Sequence, residues 1–115
     1  MDTTVDSAFG WQMRPLPWPW IVVGVRERAA LEAELRAEVA DGHPLFGMPV
    51  VAIARCQACD EVAFSVETDP VRFVRVHLTW RHAAEPAPWP TTRDLSLPLA
   101  TSLADHGCAL TRPER

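Results

Sequence analysis

The chain of 115 residues predicts an α+β fold: a small antiparallel sheet of three to four strands, covered on one face by a helix from the N-terminal half and a short C-terminal helix. Three observations lead there. A proline-free, Ala/Glu-rich stretch runs from Arg26 to Ala40. Segments of alternating apolar and polar character follow between Val50 and Trp80. The links between those segments are too short for crossover connections, so hairpins join them.

The first twenty residues read as an irregular arm. In Arg14 to Trp20 the prolines at 15, 17 and 19 remove backbone donors and push each preceding residue into extended geometry. Trp11, Trp18 and Trp20 lie in this arm. It plugs one face of the core, because exposed tryptophan is costly, or else it is a Pro/aromatic recognition segment. Ile21 to Val23 adds a short edge strand.

Arg26 to Ala40 is the principal helix. Its apolar stripe is narrow (Leu31, Leu35, Val39), Glu32 and Arg36 are spaced to pair at i, i+4, and Gly42 follows as a terminator. His43 to Pro49 is a turn linker. Val50 to Arg55 is a strand. Glu61 to Glu67 is the next, with Val62, Phe64 and Val66 on one face and Ala63 and Ser65 on the other. Thr68-Asp69-Pro70 makes the turn. Arg72 to Trp80 is the third, with Val74, Val76, Leu78 and Trp80 inward and Phe73, Arg75, His77 and Thr79 outward. A Pro-rich stretch from Glu85 to Pro90 holds Trp89. Leu97 to Asp105 is a short helix, with Ser96 as N-cap and Gly107 closing it. Thr111 to Arg115 is a frayed tail, and residues 1–115 form one domain.

Composition excludes several functions. The net charge is −4, the wrong sign for a nucleic-acid binder, which needs a basic face to displace counterions. No apolar run reaches membrane-spanning length, and the first six residues carry two Asp and no basic residue, unlike a signal peptide. All eleven basic residues are Arg, and the chain has no Lys, Tyr or Asn. Schiff-base chemistry, a P-loop and tyrosine acid catalysis are therefore absent. The five glycines form no dinucleotide-binding array. The bias toward Arg, Ala and Pro fits a high-GC bacterial genome.

Two groups of residues have metal-binding character. Cys56-Gln57-Ala58-Cys59 is half of a zinc site that His106 and Cys108 complete, or a redox pair. Against zinc stands the tight His-x-Cys spacing; against redox stands a position in a hairpin loop rather than at a helix N-terminus. Three cysteines, an odd number, do not make a disulfide framework. His43, His77 and Asp60 would form a two-His-one-carboxylate site for a small hydrolase, but no HxxxH, HxD or HExxH spacing supports it. The expected cofactor is none, with zinc as the alternative.

The turn at Thr68 to Pro70 permits two registers that preserve the sheet faces. One sets Glu61 across from His77; the other sets Ala63 there. The first is expected, because it places a carboxylate beside an imidazole. The outward face then presents Phe73, Arg75, His77 and Thr79, an aromatic and an arginine together, as binding anchors. If the Trp-rich arm covers that face, it is core instead.

His43-Pro44-Leu45-Phe46-Gly47, the acidic pair Asp60-Glu61, Val76-His77-Leu78-Thr79-Trp80 and Trp89-Pro90-x-Thr92 form a pattern. In it the chain resembles a group of small bacterial proteins of uncharacterised function. The likeness spans Leu31 to Thr92, implies no activity, and does not include the cysteine pair. The polar or amphipathic matching positions (His43, Asp60, Glu61, His77, Thr79, Trp80, Trp89) suggest a site.

The function expected from these features is a cytoplasmic, non-enzymatic module that binds another protein through the outer sheet face: an immunity or antitoxin-like protein, an adaptor, or an assembly subunit. Its binding residues would be Phe73, Arg75, His77, Thr79, Glu61, Asp60, His43 and Trp89.

Overall fold

The computed structural model describes residues 16–86 and 88–104. Five strands and two helices follow in the order β1 (Trp20–Val22), α1 (Val25–Glu38), β2 (Val50–Cys56), β3 (Glu61–Val66), β4 (Arg72–His77), β5 (Thr92–Leu95) and α2 (Leu99–Ala104). The strands form one antiparallel sheet in sequence order. The α+β class is as expected. The strand count is five rather than three to four, because both β1 and β5 join the sheet. β5 is a four-residue Thr-Arg-Asp-Leu segment with little apolar alternation, so pairing to β4 defines it.

α1 buries Leu31, Glu34, Leu35 and Glu38, one face at i, i+3, i+4 and i+7. Leu31 and Leu35 pack with Val39 and Leu45 on Val50, Ala52, Val62, Phe64, Val66, Val74 and Val76. The helix ends at Glu38, short of Ala40. Val39 turns extended and joins that core, while its N–H still donates to the Leu35 carbonyl at 3.1 Å. Gly42 lies in the linker beyond, at φ +99°, a conformation that favours glycine.

The second face is also core, which corrects the expectation of both helices on one face. Trp20, Ile53, Ala54, Cys56, Ala63, Phe73, Leu99 and Leu103 cluster there, with Leu16 and Leu95 against them. α2 therefore lies on the face opposite α1, its Leu99 and Leu103 spaced i, i+4 toward the sheet. A β-bulge between Ala52 and Ala54 makes this face continuous. Before the bulge the even positions Val50 and Ala52 face α1; after it Ala54 and Cys56 face α2. Without that extra residue Cys56 would point at α1.

Within residues 16–20, Leu16 and Trp20 pack on the second face, Trp20 Nε1 donates to the Leu103 carbonyl at 3.1 Å, and Trp18 is exposed. Trp11 and the tail at 111–115 lie outside the described residues. Ser96 does not cap α2 as expected. The Pro98 carbonyl accepts the amides of Thr101 and Ser102, while the Ser96 amide donates to Ser102 Oγ. Gly107 lies outside the described residues.

Candidate functional site

The register of β3 and β4 is the expected one, with Glu61 opposite His77. Glu61 bridges two side chains of β4: Oε1 lies 2.9 Å from Arg75 Nε, and Oε2 lies 3.1 Å from His77 Nδ1. Arg75 is buried and His77 is half-exposed. Phe73, expected as an exposed anchor, is only 8% accessible, because α2, Trp20 and Leu95 cover that part of the sheet. The central outer face is thus core rather than open surface.

Thr79 is not on that face either. β4 ends at His77, and the chain turns toward the C-terminal end of α1. The turn is made by a latch that sequence reasoning did not find. Glu38, fully buried, accepts the amide of Thr79 on Oε1 at 2.8 Å and that of Trp80 on Oε2 at 2.7 Å. Glu34, one turn earlier and also buried, accepts the amide of His82 at 3.0 Å and pairs with His82 Nδ1. Thr79 Oγ1 donates to Glu85 at 2.6 Å, and the Glu85 amide donates to the Glu38 carbonyl at 2.9 Å. Both ends of the 79–85 segment are therefore tied to α1.

The latch holds costly conformations. Trp80 and His82 sit at φ 62° and 61°, in the left-handed region that non-glycine residues rarely adopt. Burial, followed by the neighbouring Glu34, pushes the Glu38 carboxyl up to about 7, opposed by the two backbone amides it accepts. At Glu34 burial pulls upward, but hydrogen bonds from Glu38 and His82 together hold its carboxyl below the ordinary value. While its backbone is held from within, the loop projects its side chains outward. Trp80 is 40% accessible as a residue, and the side chains of Arg81 and His82 are 76% and 72% accessible. Trp80 and His82 meet edge to face, their ring centroids 6.3 Å apart.

The remaining expected residues have other roles. His43 Nδ1 accepts the Leu45 amide at 3.0 Å, so Nε2 carries the hydrogen and donates to the Pro90 carbonyl at 2.9 Å. His43 thereby staples the linker after α1 to the segment before β5. Trp89 is partly exposed and, with His43 and Glu85, lines an open cleft of about 500 Å³. Asp60 is exposed, and its carbonyl accepts the Leu78 amide. Among the described residues, His43, His77 and Asp60 included, no group of three or more His, Cys, Asp or Glu is placed to hold an ion. Cys56 ends β2 and Cys59 lies in the hairpin after it; His106 and Cys108 lie outside the described residues.

The signal for the latch was present in the chain. Glu34 and Glu38 share the Leu31/Leu35 face at helical spacing, so a helix buried along that face must give two carboxylates internal donors. No family model matches this chain, and neither a curated protein nor a solved structure matches it. No helix among the described residues is long and apolar enough to cross a membrane.

Proposed function

We propose that the protein is a non-catalytic module that binds another protein through the latched loop Thr79 to His82, with Trp80, Arg81 and His82 as its contacts. The observation that carries this reading is the latch. Two buried carboxylates and two left-handed residues are unfavourable on their own terms. What they fix is the position of three solvent-facing side chains rather than any core group. A preorganised loop loses little conformational entropy on binding, and Trp and Arg are the residues that most often dominate binding energy. The acidic net charge favours a basic partner by steering, as an immunity protein, adaptor or assembly subunit in the cytoplasm would use it. The outer sheet face contributes only its rim, His77, to this surface.

The test is a paired capture experiment. The parent protein and a Trp80→Ala/Arg81→Ala double variant are immobilised, after thermal melts show equal stability. A partner retained by the parent and lost from the double variant supports the reading. A partner retained equally by both overturns it.

A further inference from the structure

We propose that the cleft between the linker after α1 and the segment before β5 receives an arginine side chain of the partner protein. This rests on the reading of the chain as a protein-binding module, but it uses other side chains than the loop Thr79 to His82. Two separate observations lead here.

The first is that the cleft is already built. Its volume is about 500 Å³, and its walls are the linker Ala40 to Pro44 on one side and Glu85, Trp89 and Thr91 on the other. Backbone bonds hold both walls: the His43 amide donates to the Ala40 carbonyl, the Glu85 amide to the Glu38 carbonyl and the Trp89 amide to the Pro86 carbonyl, each at 2.9 Å. His43 Nε2 joins the walls by donating to the Pro90 carbonyl. A cleft fixed in this way loses little freedom when it is filled.

The second is an incomplete set of partners at Glu85. Its side chain is only 9% accessible, and a carboxylate so buried needs donors on both oxygens. Thr79 Oγ1 donates to Oε2, but Oε1 accepts no hydrogen bond among the described residues. Arg81 Nε lies 3.9 Å from Oε2, the oxygen already served, and its side chain is 76% accessible, so that pair is weak. Exposed Asp41 adds a second carboxylate on the facing wall, with no ion pair among the described residues. His43 is neutral, since Nδ1 accepts the Leu45 amide, and no lining residue is an arginine. The cleft is therefore negative, and Trp89, 42% accessible, gives it an aromatic wall. A flat cation with several N–H donors satisfies all three features: guanidinium stacks on indole and donates to carboxylates, whereas an ammonium has the charge without the flat face. Pro44 and Pro88, also in the lining, suit the aliphatic stem of that side chain. The net charge of −4 draws a basic partner to the molecule.

The experiment titrates the full chain with N-acetyl-arginine amide, which mimics the side chain within a peptide, and follows amide and indole resonances by NMR. N-acetyl-citrulline amide, of the same shape without the charge, is the control. The expected result is saturable binding at about 1–10 mM, the range open to a ligand of this size. Its shifts should centre on Gly42, His43, Thr91 and the Trp89 indole, and citrulline should bind about ten-fold more weakly or not at all. Glu85→Gln and Trp89→Leu should each weaken arginine by about five-fold or more. Should Glu85→Gln disturb the fold, Asp41→Asn at its exposed position takes its place. The Trp80→Ala/Arg81→Ala variant should bind arginine as the parent does, which separates this cleft from the loop tested by capture. Absence of saturable binding in the parent, equal binding of citrulline, or unchanged affinity in both Trp89→Leu and Asp41→Asn overturns the site. Loss of binding in the loop variant places the arginine at the loop and overturns it too. Free arginine bound about ten-fold tighter than the blocked form would make the ligand a free amino acid and overturn the side-chain assignment.

Discussion

The Glu38 carboxylate, on the last turn of α1, accepts the backbone amide of Trp80 at 2.7 Å across 42 residues of sequence. Its other oxygen takes the amide of Thr79, so one fully buried side chain satisfies two consecutive peptide groups where β4 has ended. This bond pair turns the chain from the sheet onto the helix and sets the direction of Trp80.

Removing that side chain should loosen the loop and the end of the helix together. Glu38→Ala leaves two amides without their acceptor beside a new cavity, a loss of about 3 kcal/mol. For a chain of this length the melting temperature should fall by roughly 10 °C. Glu38→Gln keeps one acceptor oxygen and should lose about half as much. A melting temperature within a degree of the parent for Glu38→Ala would show that the latch bears no stability.

Stability should depend on pH through the same group. The Glu38 carboxyl is raised from 4.5 to about 7, so the native state holds a proton there that the unfolded chain releases. Its contribution is fully present below about pH 4.5 and is lost as pH rises to about 7. Glu34, whose carboxyl is lowered, acts oppositely: its contribution is present above 4.5 and is lost as pH falls. Urea midpoints of the parent and of Glu38→Gln at pH 5, 6, 7 and 8 isolate the Glu38 effect. The parent's advantage over the variant should shrink from pH 5 to 7 and stay level above. Parallel curves across that range would contradict a raised Glu38.

Phe73 distinguishes core from interface on the second face. With α2 and Trp20 over it, Phe73→Ala should destabilise the protein by about 3–4 kcal/mol. Chemical denaturation measures this directly. A loss under 1 kcal/mol would mean that the face is open and α2 does not sit on it.

Glu61 and Arg75 should be energetically coupled. Glu61→Gln leaves the buried Arg75 guanidinium facing a neutral amide, a loss of about 2 kcal/mol. In a double-mutant cycle with Arg75→Met, the combined loss should be clearly smaller than the sum of the single losses. Simple additivity would argue against a direct interaction.

Much of the fold could be read in the chain because it rests on local periodicity. Alternation in Val62 to Val66 and Val74 to Val76 defines two strands and their inward faces, and the short Thr68 to Pro70 turn leaves only hairpin pairing. The Glu61–His77 register was legible for the same reason: only registers that preserve the faces are allowed, and one of them joins complementary groups. β5 was not legible, since its four residues carry no pattern and become a strand only through the edge that β4 offers. The candidate loop was half legible. Trp80 stands in the sequence pattern, but alternation places it inward on a strand that in fact stops three residues earlier.

By itself, then, the sequence determined the α+β class, the principal helix, the central hairpins and the Glu61–His77 pairing, because each follows from contacts between near neighbours or from a two-residue period. Tertiary structure alone decided which face each helix covers, that the bulge in β2 turns Cys56 toward α2, and that Glu34 and Glu38 hold the loop bearing Trp80. Those outcomes depend on contacts between residues far apart in the chain, such as Trp20 with Leu103 and Glu38 with Trp80. Local propensity carries no information about a hydrogen-bond donor supplied by a segment forty residues away. A buried carboxylate requires such a donor, and only the folded chain shows which amide provides it.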